Sequence, residues 1–138
     1  MPLLDRVVLP LASEEDATET AEALRPHLGD VELVVAVHVI EKAGGGIDKA
    51  PMAQREEDAE TILRLVEEAL GDEVAVETDV RYGTDVVDAL FEAATEHDAT
   101  AVLFTAREGN RFVQLLAGDT ARRLVTEATV PVVALPRD

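Results

Sequence analysis

The stretch from Thr105 to Thr120, TAREGNRFVQLLAGDT, brings together groups that hold anions: the glycines Gly109 and Gly118, the arginines Arg107 and Arg111, and a helix start. It follows an apolar run and leads into an amphipathic pattern, where backbone N–H groups and the helix dipole can bind a phosphate. Arg122 and Arg123 lie just beyond, so a basic island surrounds the loop. The rest of the chain is acidic. Residues 1–103 carry 25 acidic and 7 basic residues, whereas 104–138 carry 4 and 5.

Other chemical signatures are missing. No G-x-G-x-x-G follows the first apolar run, and there is no G-x-x-x-x-G-K-[ST], which excludes the dinucleotide fingerprint and the P-loop. A phosphoacceptor receiver needs acidic residues at the ends of strands one and three and a lysine after strand five. Here those places read PLAS, RYGT and ALPRD. The histidines His27, His38 and His97 form no H-x-x-x-H or H-x-x-E pair, so no metal site is expected. His38 sits inside an apolar strand and reads as a hydrogen-bonded structural residue. No nucleophile, base and orienting acid fall within reach of one another, so no catalytic residues are expected.

The elements that would position the loop alternate between strand-like runs and helical periodicity, the pattern of a parallel α/β sheet. Strands are expected at Leu4 to Pro10, Val31 to Ile40, Glu73 to Tyr82, Ala99 to Thr105 and Val130 to Pro136. The second is apolar on both faces, as a central strand covered on both sides would be. Ser13 and Asp16 form a capping signature for a first helix ending near Leu24 or Leu28, with Pro26 straining its last turn. A second helix buries Ala59, Ile62, Leu63, Val66, Ala69 and Leu70. Thr84 is expected to cap a third, with Val86, Val87, Leu90, Phe91 and Ala94 inward. A fourth runs from Asp119 to Ala128. The result is a doubly wound, Rossmann-like sheet of five parallel strands and four helices, with ligands expected beyond the strand carboxyl ends. Residues 1–138 read as one domain.

With 138 residues and 47% hydrophobic content, the chain can bury one core. No apolar run is long enough for a membrane span, and no signal-like start is visible, so the expected location is cytoplasmic. The chain has no cysteine, which excludes disulfides and thiol chemistry. A formal charge of −17 repels nucleic acid and anionic membranes.

Over essentially its whole length the chain resembles the universal stress protein family, in an acidic, haloarchaeal-like form. The resembling pieces are RVVLPLASEE, VVAVHVI, VRYGT and LAGDTARRLVTEATVPVVALP. The resemblance implies strand order 3-2-1-4-5, pairing into dimers, and ATP in some members but not others. ATP-binding members carry an Asp shortly after strand one and the pattern G-x-x-G, nine residues, then G-[ST]. Counting back from Gly118 places Thr105 and Glu108 at the first two glycines and Asp119 at the hydroxyl position, with Thr120 following. Ala12 stands at the strand-one Asp, in a turn one residue short. Pro10, Val39 and Gly118 match the family's contact positions. Side chains at Thr105 and Glu108 would narrow the phosphate cradle, and Asp119 would cap its own helix. The carboxylates of Glu108 and Asp119 would repel a triphosphate, and Arg107 and Arg111 would offset part of this.

The expected function is therefore that of a non-enzymatic, homodimeric universal stress protein with a regulatory or protective role. Its nucleotide site (Pro10, Ala12, Val39, Thr105, Arg107, Glu108, Gly118, Asp119 and Thr120) is degenerate, with no tight ATP binding and no cofactor. One alternative is an ATP- or AMP-binding module with a drifted loop; another is an accessory subunit for a protein partner such as a transporter. The dimer interface is expected along the terminal strand, at Val130, Val132, Val133, Ala134 and Leu135, because an exposed apolar edge invites pairing. The charge also predicts salt dependence, since the Debye length falls to about 3 Å near 1 M salt. Dialysis from molar KCl into dilute buffer should reduce far-UV ellipticity and melting temperature; unchanged values would contradict salt adaptation.

Overall fold

The structure, a computed structural model, describes residues 2–41, 52–105 and 118–136. Element order is β1 (Arg6–Pro10), α1 (Glu14–Leu24), a 3₁₀ segment (Arg25–Asp30), β2 (Leu33–Glu41), α2 (Met52–Leu70), β3 (Ala75–Gly83), α3 (Val86–Glu96), β4 (Ala101–Thr105), α4 (Gly118–Thr126) and β5 (Val132–Leu135). The five strands form one sheet of order β3-β2-β1-β4-β5, as the sequence implied, and every strand pair is parallel.

Strand alternation divides the interior into two layers. Val7 and Leu9 of β1, Val34 and Ala36 of β2, and Leu103 of β4 face one cluster with Ala17, Ala21 and Leu24 of α1 and Ile62, Leu63, Val66 and Leu70 of α2. Val8, Val35, Val37, Val39, Val102 and Phe104 face the other, with Val87, Leu90, Phe91 and Ala94 of α3 and Leu124 of α4. Central strands covered on both faces must be apolar throughout, which explains the unbroken run of β2.

Element ends depart from expectation for local reasons. β1 begins at Arg6 because the carbonyl of Asp5 is used by the N–H groups of Glu32 (2.8 Å) and Leu33 (3.1 Å). Pro26 does not strain α1. That helix stops at Leu24, and the proline enters the first turn of the 3₁₀ segment, where a missing N–H is harmless. The cap of α3 is Asp85, not Thr84: Asp85 has extended backbone and its carboxylate accepts from the N–H of Asp88 at 3.1 Å. Aspartate and threonine are both good caps, and the extended residue directly before the first helical turn takes the role.

The edge strand β3 is tied to α3 by charge. His97 Nε2 lies 2.9 Å from Asp79 Oδ2, and Arg81 donates both to Asp79 (2.9 Å) and to Glu96 (2.7 Å). Burial opposes the charge on Asp79, but the hydrogen bonds from His97 and Arg81 hold its carboxyl below the usual range. A charged edge also discourages pairing with foreign strands.

Leu9 is fully buried in the first layer. Leu9→Ala should lower stability by about 2–5 kcal/mol in denaturant titration in molar KCl. A loss below about 1 kcal/mol, the range of exposed positions, would contradict its placement.

Candidate functional site

The carboxyl ends of β1 and β4 meet at the point where the chain turns to opposite faces of the sheet: β1 leads to α1 on one side, and β4 leads toward α4 on the other. Crevices at such points receive ligands because connections diverge there and leave backbone groups unpaired. The turn after β1 is held by backbone and side chains together. Leu11 N–H donates to the Val37 carbonyl (2.9 Å), and the Leu11 carbonyl lies 2.7 Å from Nδ1 of His38. A carbonyl only accepts, so Nδ1 carries the proton.

Ser13 then caps α1. Its hydroxyl accepts from the Asp16 N–H at 3.0 Å. Asp16, fully buried, reaches back past the cap and accepts from the Ala12 N–H through Oδ2 (2.9 Å). Its Oδ1 accepts from the Thr20 hydroxyl at 3.3 Å, and Thr20 Oγ1 is 3.1 Å from Thr105 Oγ1 at the end of β4. Thr20 has one proton and gives it to Asp16, so Thr105 donates to Thr20. A buried polar chain thus joins the β1 turn, α1 and β4.

A crevice of about 470 Å³ opens beside this turn, lined by Ala12, Ser13, Glu14, His38–Glu41, Arg55 and Asp58 among others. Three carboxylates therefore border it. Arg55, its cation, donates to the backbone carbonyl of Glu41. A second hollow of about 320 Å³ lies between Glu41, the start of α3, Thr120 and Arg123. Arg123 is bound to the chain's own acids, with Nε 2.8 Å from Glu127 and NH2 3.0 Å from Asp85. The hydrogen bonds it donates to Glu127 and Asp85 raise its pKa, and Arg123 in turn lowers that of Asp85.

The sequence candidates separate in space. Pro10 and Val39 are buried at the ends of β1 and β2, and Ala12 is in the turn between β1 and α1. Thr105, at the end of β4, has a fully buried side chain bonded to Thr20. Gly118 and Asp119 open α4, and Thr120 borders the second hollow. Arg107 and Glu108 lie outside the described residues. Among the interface candidates, Val130, Val132 and Val133 are half-buried and Ala134 is exposed on the sheet-edge strand β5. The Leu135 side chain packs into the chain's own first layer, and the residue pairs with Thr105 of β4.

Sequence reasoning missed the reach of Asp16 and the Asp85–Arg123 pair. The S-x-x-D spacing signals the first as a cap, but burial depends on β4 packing alongside. Among the described residues no group of three His, Asp or Glu side chains is placed to hold a metal, and no helix is long and apolar enough to cross a membrane.

The universal stress protein family model matches residues 4–136. The solved structures similar to this chain include a universal stress protein from Archaeoglobus fulgidus, with 20% identity, 95% of this chain and 98% of that one covered, and TM-score 0.67. A family protein from Burkholderia pseudomallei is 21% identical over 99% and 98%, with TM-score 0.68. The universal stress protein from Archaeoglobus fulgidus in complex with dAMP is 18% identical over 97% and 99%, with TM-score 0.64. At these identities the likeness shows a common fold. A comparison with curated protein sequences finds no match.

His38 gives the turn a pH dependence. Burial lowers its pKa, and the Leu11 hydrogen bond opposes this only in part. The unfolded chain then binds more protons between the folded pKa and about 6.5, so stability present above pH 6.5 declines as pH falls below it. The melting temperature of the wild type should therefore drop more steeply than that of His38→Asn between pH 7 and pH 5. Equal slopes would contradict the assignment.

Proposed function

The chain belongs to the universal stress protein family, and from that premise we propose that it acts as a homodimeric, non-enzymatic regulatory or protective protein that does not bind ATP tightly. The observation that carries this reading is the charge of the crevice at the strand ends. Glu14, Glu41 and Asp58 border it, while Arg55 donates to the Glu41 carbonyl. A triphosphate entering there would meet three carboxylates at close range, against which Arg55 supplies one positive charge. Ala12 adds no carboxylate to recognise a ribose or base. Solved structures of this fold include one with dAMP and one with cAMP, so the fold itself does not preclude a nucleotide.

Dimerisation follows from the sheet edge. β5 pairs only with β4 among the described strands, Ala134 is exposed, and Val125 on the neighbouring α4 is 60% exposed. Antiparallel pairing of β5 with its copy would satisfy its outer backbone groups in a closed two-fold assembly. The acidic surface suits a salt-rich cytoplasm, where screening relieves self-repulsion.

One preparation tests the reading. Protein isolated by size exclusion with light scattering in 2 M KCl should have the mass of a dimer, and calorimetric titration of that peak with ATP and AMP should give no heat of binding. A stable monomer would overturn the assembly, and micromolar nucleotide binding would overturn the ligand reading in favour of a phosphate held by Arg107, Arg111 and Gly118.

A further inference from the structure

We propose that α4 is a salt-sensitive strap: the helix opens from the domain as a unit while the sheet stays folded, and the ion pair between Asp85 and Arg123 sets how often it does so. This goes beyond the functional reading above and does not rest on it.

Three observations carry it. The first is how little of α4 is buried. Among residues 120–126 Leu124 alone is buried, and Val125 beside it is 60% exposed. The neighbouring α3, by contrast, buries Val87, Ala89, Leu90, Phe91, Ala93 and Ala94. With 9 residues, α4 is too short to persist in water by itself, because isolated helices below about 12–15 residues are marginal. Elements with few buried apolar groups open locally before the whole domain unfolds.

The second is the double use of one carboxylate. Asp85 Oδ1 accepts from the Asp88 N–H at 3.1 Å and caps α3, while Oδ2 accepts from Arg123 Nη2 at 3.0 Å and holds α4. Glu127 aims the guanidinium, accepting from its Nε at 2.8 Å and its Nη2 at 3.0 Å. An apolar peg, Leu124, and an ionic link to the α3 cap thus fasten the strap.

The third is the exposure of that link. The Arg123 and Asp85 side chains are 36% and 35% exposed, and both line the hollow of about 320 Å³ between the end of β2 and the starts of α3 and α4. Ions reach the pair there, so added salt weakens it, as it weakens other exposed charge contacts. The burial of Leu124 does not depend on charge, so salt acts on the strap through the pair. Opening uncovers the part of the second apolar layer that Leu124 joins, together with the α3 flank at Val87. The domain then presents an apolar surface whose population grows with ionic strength.

Native-state hydrogen exchange of the full chain tests this with two variants. Asp85→Asn keeps the cap oxygen and removes the charge, and Arg123→Gln leaves Asp85 whole. In about 0.5 M KCl, wild-type amides of residues 122–127 should exchange at least about tenfold faster than those of α3. Either variant should speed them further, by up to about fivefold, the range of exposed ion pairs. In about 3 M KCl the wild type should approach the variants, and the α3 and β2 amides should not respond to Arg123→Gln. Equal α4 exchange in all three proteins, or a gap that high salt leaves unchanged, would overturn the role of the pair. Wild-type α4 amides that exchange only as fast as α3 would show that the helix opens with the whole domain, and would overturn the strap.

Discussion

A carboxylate with no access to water constrains everything around it. Asp16 must have its oxygens satisfied from inside the protein, and the Ala12 N–H and the Thr20 hydroxyl both donate to them. To supply them, the turn after β1 has to close back on α1, and Thr20 has to face the end of β4. The Leu11 carbonyl then meets His38, and the Leu11 N–H meets β2. One buried charge thereby couples the first turn to three strands. Breaking such a network by removing one member leaves other buried groups unpaired, which is more damaging than the loss of one hydrogen bond.

This arrangement stands on a sheet whose two faces are filled independently. Alternate residues of β1, β2 and β4 enter separate apolar layers, one against α1 and α2 and one against α3 and α4. The crevice beside the turn after β1 is walled by the end of β2 and by α2, so its position follows from the crossover that carries α2 over that face. Side chains then decide what it accepts. Carboxylates border it, and the arginines placed near it, Arg55 and Arg123, donate to the chain's own carbonyl and carboxylate groups.

Much of this is legible in the sequence because it depends on period and spacing. The unbroken apolar run of β2, the inward stripe of α2 and the alternation of elements follow from local pattern, and strand order came with the family resemblance. Ser13 as a cap was equally readable. What was not readable depends on which distant elements meet. Nothing near Asp16 announces that Thr20 and Thr105 will lie beside it, so a capping residue and a loop position turned out to belong to one buried chain. Asp85 displaced Thr84 as the α3 cap, and its pairing with Arg123, 38 residues away, has no local signature. Thr105 shows the limit most clearly: counting placed it at a phosphate-loop position, while the strand's alternation turned its side chain inward.

The central claim is that a buried carboxylate, Asp16, ties the turn after β1 to the end of β4 through Thr20. A crystal structure at better than about 1.5 Å, grown from molar KCl with excess AMP, tests this most directly. The account predicts Asp16 Oδ2 within hydrogen-bonding distance of the Ala12 nitrogen, Thr105 bonded to Thr20, and no nucleotide between the ends of β1 and β4. An Asp16 carboxylate turned away from the Ala12 N–H and from Thr20 would contradict it.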